Sequence, residues 1–174
     1  ITAIEGDVVG DVSRYDDEFR VPTCGEGITS AEAVPYDALL VNDGLISDGN
    51  YGLDPSRSAA RIFYDLLVAR GVVIGGSAAN ATRPVDAGLM PLTAIESLPL
   101  TDVLVELLHT SDDNTAEMLV KEIGFTATGQ GTRQAGLDTI RTTLDRWAVP
   151  TAGLELYDGS GLDRGNRLTC DTLA

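Results

Sequence analysis

Residues 98–124 read LPLTDVLVELLHTSDDNTAEMLVKEIG, and the reading of the fold starts from them. Thr101 to His109 carries Val103, Leu104, Leu107 and Leu108 along one helical stripe. Met118, Leu119, Val120 and Ile123 form a second stripe, and Gly124 after it reads as a helix stop. Ser111 lies between the two, where an N-cap belongs, because its hydroxyl can accept from the free N–H groups of the next turn. Asp112 and Asp113 fall in that turn, where the helix dipole favours negative charge. On this evidence alone the stretch is two packed helices joined by a capped corner.

Outward from that corner, the segments are helical and extended in turn. Asp54-Pro55 opens a helix, with Asp54 as cap and Pro55 in the first turn. Ala59, Ala60, Ile62, Phe63, Leu66 and Leu67 recur along it at helical spacing, up to Gly71. Thr132 to Trp147 predicts another helix, with Leu137, Ile140, Leu144 and Trp147 facing inward. Ile1 to Gly10, Ala38 to Val41, Val72 to Ile74 and Leu154 to Tyr157 read as strands. Arg14 to Pro35, Ser77 to Met90 and Thr126 to Gly131 read as loops, and Asn42-Asp43-Gly44 and Asp158 to Gly161 as turns. Asp43 to Asp54 has the length of a calcium loop, but Leu45 and Asp48 stand where an oxygen ligand and a glycine are needed.

Composition narrows the function classes. The 174 residues carry 27 acids against 12 Lys and Arg, a net charge of −15, which argues against nucleic acid or an anionic membrane as partner. Lys121 is the one lysine. The one histidine, His109, reads as a helix-end residue and cannot complete a Ser-His-Asp triad from this chain's own motifs. No apolar run reaches transmembrane length. Cys24 and Cys170 fit no zinc spacing and permit one disulfide. The chain opens on Ile1 in strand-like sequence and closes on helix-like sequence, so it is expected to be a piece of a longer protein whose secretion signal lies upstream.

The order of residues at the corner carries a resemblance. Ser111, a second position at Asp113, and Ala116-Glu117 after it resemble the second motif of the active-site-serine penicillin-binding enzymes. The similarity is greatest to class C low-molecular-mass D-alanyl-D-alanine carboxypeptidases. Ile95 to Leu100 resembles that family's lead-in to the helix pair. Asp158-Gly159-Ser160-Gly161-Leu162, with Arg164 and Asn166, resembles its next landmark. Gly6 to Asp11, with Ser13 to Asp16, resembles the strand and loop that leave the family's inserted region. These similarities run in the family's order along nearly the whole chain.

The resemblance implies an α/β class: a partial penicillin-binding transpeptidase fold, similar to serine β-lactamases, with a helical cluster on an incomplete antiparallel sheet. Residues 1–50 would be the end of the inserted region and the return into the catalytic domain, and residues 51–174 part of that domain. It implies acyl transfer through a serine ester, without cofactor or metal, on peptidoglycan stem peptides outside the cytoplasm. β-Lactam antibiotics would be partners of the full-length parent. A Cys24–Cys170 disulfide would suit an exported protein.

The family's Ser-x-x-Lys and Lys-Thr-Gly motifs are absent: Met118 stands three residues before Lys121, and no lysine precedes Thr-Gly. By the family's order, both would lie outside residues 1–174. Counting back from Ala116-Glu117 puts Asp113 at the asparagine position, with Asn114 one residue later. A carboxylate there accepts hydrogen bonds but donates none to substrate. Either Asp113 is a tolerated variant or Asn114 takes the substrate-binding role by a local shift. Asp113 is favoured, since one residue turns a helix face by about 100°. Ser111 is then either a proton relay or a plain cap, and the resemblance favours the relay. Glu117 reads as structural and Ser160 as a turn residue. Arg133 and Arg164 either line a cleft or are solvated. The other function class is a relative that binds cell-wall peptides without cleaving them.

Overall fold

The computed structural model describes residues 1–20, 34–47, 50–82 and 88–174. Cys24 lies outside the described residues, and Cys170 is exposed.

The N-terminal half is built around one helix. Strands β1 (Ala3–Ile4) and β2 (Val8–Asp11) come first. The short antiparallel pair β3 (Leu45–Ser47) and β4 (Asn50–Tyr51) leads into α1 (Pro55–Ala69). Then follow β5 (Val73–Ile74) and β6 (Ala78–Ala81). Helix α1 starts as its sequence predicts: Asp54 caps it by accepting from the Arg57 N–H, and Pro55 occupies the first turn. β1 pairs with β5 and β2 with β6, and both pairs are parallel. That corrects the antiparallel expectation for these strands and leaves the α/β class intact. A parallel pair needs a long crossover, and α1 is the helix within it. Val8, Ala60 and Ala78 form the buried centre, with Tyr64, Leu67 and Ile74 packed against it. Gly10 lets α1 approach β2, because a Cβ there would overlap the Ser56 carbonyl.

The C-terminal half is helical. It contains α2 (Leu100–Thr110), α3 (Asp113–Thr128), α4 (Arg133–Arg146) and the single turn α5 (Cys170–Leu173). Thr132 caps α4 by accepting from the Ala135 N–H. Gly124 does not stop α3, which runs on to a left-handed Gly129. Its work is closeness: a Cβ on Gly124 would meet the Gly136 backbone, and one on Gly136 would overlap the Val120 carbonyl. Helices α3 and α4 therefore cross with their backbones nearly in contact.

Four local expectations fail. Ala38 to Val41 is not a strand, and Leu39 and Val41 are exposed. Ala78 to Ala81 lies inside the expected loop yet forms β6, because β2 offers it an edge to pair with. Leu154 to Tyr157 contributes only an isolated bridge, Glu155 to Arg167. Trp147 is 70% exposed, since it caps the end of α4 rather than lying within its apolar face.

Helix α2 buries none of its residues. Ile95, at 96% exposure, Leu98, Leu100, Val105 and Leu108 leave a broad apolar surface around it. Among the described residues, no helix is long and apolar enough to cross a membrane.

Candidate active site

Ser111 closes α2 rather than opening α3. It is exposed and left-handed, at φ 58° and ψ 52°, and its N–H donates to the Leu107 carbonyl at 2.8 Å. Asp112 is the N-cap of α3: one carboxylate oxygen accepts from the Thr115 N–H at 3.0 Å and the other from the Thr115 hydroxyl at 2.6 Å. The cap expected of Ser111 thus falls one residue later. A helix end needs a left-handed residue to turn its carbonyls, and Ser111 is used for that.

Asp113 is the first residue of α3 and is half-buried. Asn114 is only 7% exposed, and its side-chain amide donates to Asp43 Oδ1 at 2.8 Å. One of its two N–H donors is therefore spent inside the protein. Ser111, Asp113 and Asn114 line one cavity of about 350 Å³, together with Asp43, Glu106, Thr110 and Asp112. Four carboxylates border that space, which gives it a negative lining suited to cationic groups.

Further along α3, Glu117 joins that helix to the Asp158–Gly161 turn. It is 2% exposed. Its Oε1 accepts from the Gly159 N–H, the Ser160 N–H and the Ser160 hydroxyl, each at 2.8 Å. Its Oε2 accepts from Arg133 Nε at 3.2 Å and from the Tyr36 hydroxyl at 3.3 Å. Asp158 organises the turn itself, accepting from the Gly161 and Asp163 N–H groups and from the Asn166 amide. Arg133 also pairs with Glu18 at 2.7 Å and donates to the Arg20 carbonyl and the Tyr36 hydroxyl. Burial works to lower the Arg133 pKa, but the Tyr36 and Glu18 contacts outweigh it and hold the guanidinium above its usual range.

A family model described as D-Ala-D-Ala carboxypeptidase 3 (S13) matches residues 52–174. The chain belongs to that family. A D-alanyl-D-alanine carboxypeptidase of Actinomadura is 36% identical over 148 residues, covering 84% of this S13 chain and 26% of that protein. A carboxypeptidase of Mycobacterium tuberculosis is 28% identical over 161 residues, covering 89% of this chain and 34% of that one. The chain thus spans about a quarter to a third of the length of these relatives. Penicillin binding protein 4 of Haemophilus influenzae shares the fold, with a TM-score of 0.76 at 17% identity over 95% of this chain and 51% of its own.

Several residues of this S13 segment escaped the sequence reading. Lys121 is fully buried at 0% exposure; its ammonium donates to Asp16 and to the Glu18 carbonyl, and it lies 5.1 Å from the centre of the Tyr36 ring. Asp37 is buried against Ser56, whose hydroxyl donates to it; burial raises the Asp37 pKa and the Ser56 bond works against that. Arg133 is neither in a cleft nor solvated but buried in a network, whereas Arg164 is exposed. Asp43 carried a sequence signal only as part of a turn and of the rejected calcium loop. Its partner, Asn114, lies 71 residues away and no local pattern links the two.

Proposed function

We infer that the full-length parent of this S13 segment is a serine-type D-Ala-D-Ala carboxypeptidase that binds penicillin. It acts on peptidoglycan stem peptides outside the cytoplasm. Residues 1–50 are then the end of an inserted region and the return into the catalytic domain, and residues 51–174 part of that domain. The observation that carries the reading is the Ser111–Asp113 corner, an exposed hydroxyl beside a helix N-terminus on one cavity, within the segment the family model matches.

In the proposed reaction, a serine of a Ser-x-x-Lys outside this chain passes its hydroxyl proton to that lysine's amine and attacks the carbonyl between two D-alanines. The C–N bond breaks, and the leaving amine takes a proton through the Ser111 hydroxyl. Water then hydrolyses the ester, releasing the shortened peptide and restoring the serine. Asp113 stands in the asparagine position and accepts from the lysine ammonium. A carboxylate there favours the charged lysine. Asn114, with one N–H committed to Asp43, retains a second donor toward substrate.

The test is a fluorescent penicillin on two samples, the full-length parent and residues 1–174. The parent is expected to form a stoichiometric covalent adduct, and the segment none, because the segment holds no Ser-x-x-Lys. A parent without an adduct favours the relative that binds peptides without cleaving them. An adduct on residues 1–174, located by mass spectrometry, overturns the assignment of the nucleophile to another part of the parent.

A further inference from the structure

Two left-handed corners face the same cavity from distant parts of the chain. One is Ser111. The other is Asn42-Asp43-Gly44, with φ values of 54°, 51° and 75°. Left-handed conformations cost energy at non-glycine residues and persist where the surroundings hold them. Here the holding contacts are visible. The Gly44 N–H donates to the Val41 carbonyl, the Gly52 N–H to the Gly44 carbonyl, and the Asn42 amide to the Leu45 carbonyl. What the strained turn presents is the Asp43 carboxylate, which accepts from the buried Asn114 amide at 2.8 Å. Asn114 is one residue from Asp113 and three from Ser111 on the first turn of α3. A bond at that point resists rotation of the turn, and one residue of slip would move Asp113 by about 100°.

We propose that Asp43 is a positioning residue for acyl transfer, holding the Ser111–Asp113 corner in register through Asn114. It acts through Asn114 rather than on the reacting atoms. The inference rests on the acyl-transfer reading above, and the two are separable by experiment.

The experiment uses the full-length parent. Asp43→Gly removes the carboxylate while suiting the left-handed backbone, so the relieved strain offsets part of the lost Asn114 bond and the melting temperature is expected to fall by no more than a few degrees. Its acylation rate by fluorescent penicillin is expected to fall about tenfold to a hundredfold, the scale of misplaced catalytic geometry. On a D-Ala-D-Ala peptide the loss should fall on kcat, with KM within about threefold of wild type. Asp43→Asn retains a carbonyl oxygen to accept from Asn114 and should recover most of the rate. Asp43→Gly combined with Asn114→Ala should be no slower than Asn114→Ala alone, as for two residues acting through one contact.

A parent that takes up no penicillin overturns the acyl-transfer reading and this inference with it. A reactive parent whose Asp43→Gly variant reacts at the wild-type rate overturns the positioning role alone. So does an equal loss of rate and melting temperature in Asp43→Gly and Asp43→Asn, which marks Asp43 as merely structural.

Discussion

The backbone N–H and the hydroxyl of Ser160 both donate to one oxygen of Glu117, each at 2.8 Å. With the Gly159 N–H, three donors converge on that oxygen, while Arg133 holds the other. A buried carboxylate is tolerable only when paired and bonded in this way. The Asp158–Gly161 turn is therefore held to α3 one helical turn beyond the Ser111 corner.

Removing that carboxylate is expected to cost more than the bonds themselves. Glu117→Ala leaves three donors on the turn and the Tyr36 hydroxyl without their acceptor and Arg133 with Glu18 as its remaining carboxylate, a loss of about 3–5 kcal/mol for a broken buried pair. Glu117→Gln keeps a carbonyl acceptor and should cost about 1–3 kcal/mol. Urea unfolding of the full-length parent measures both. An alanine variant as stable as wild type would show that the hub is not energetically coupled to the fold.

The α3–α4 crossing makes a second prediction. A methyl group on Gly136 would overlap the Val120 carbonyl, and backbone cannot move aside as a side chain can. Gly136→Ala is expected to destabilise by about 3 kcal/mol or more, the upper end of overpacking costs. The ordinary gain from replacing a helical glycine by alanine, about 1 kcal/mol, has the opposite sign. A variant as stable as wild type in urea unfolding would mean the helices are farther apart than described.

Acid should loosen the contact between the N-terminal segment and α3. Arg14 grips Glu122 with two hydrogen bonds, and Tyr15 adds a third at 3.0 Å. The Arg14 bond, opposed by some burial, holds the Glu122 pKa below its ordinary 4.5. A lowered folded-state pKa gives stability that is present above the ordinary value and lost as pH falls through the folded one. The stability difference between wild type and Glu122→Gln should therefore shrink as pH drops below about 4.5. It should be constant at higher pH. Melting temperatures measured from pH 3 to pH 7 test this, and a constant difference throughout would refute it.

What the sequence disclosed depended on how local each cause was. Asp54-Pro55 announced its helix because a cap acts within its own first turn, and Thr132 to Trp147 announced its own by apolar spacing along one face. Ser111 and Asp112 are both good caps, and the choice between them was made by α2, which needed a left-handed end. Gly124 carries the same letter whether it stops a helix or admits a neighbour, and only Gly136 across the crossing decides. The Ala-Ala-Asn-Ala of β6 has no β-branched residue, so its strand exists by pairing with β2 and not by propensity. The candidate corner of Ser111 and Asp113 could be picked out because its residues are contiguous, and the structure sets both on one cavity. Asp43 was not, since its role depends on a contact across 71 residues.

The last prediction separates the roles of Ser111, Asp113 and Asn114 in the full-length parent. Ser111 is exposed and caps nothing with its hydroxyl in α3, so Ser111→Ala should leave the fold intact. If the hydroxyl relays a proton, turnover should fall by about a hundredfold or more, the scale of a positioned acid–base group. Asp113→Asn restores an amide donor and removes a charge beside the lysine, so it should retain substantial activity or gain some. Asp113→Ala removes the acceptor and supplies no donor, so it should be slower than Asp113→Asn. Asn114→Ala breaks the bond to Asp43 and also removes the remaining amide donor, so its loss should be at least that of Asp43→Gly. Steady-state rates on a D-Ala-D-Ala peptide give the comparison, with circular dichroism as the check on folding. If Asp113→Ala matches wild type while Asn114→Ala abolishes turnover in a folded protein, the asparagine role belongs to Asn114 and the register argued here is wrong.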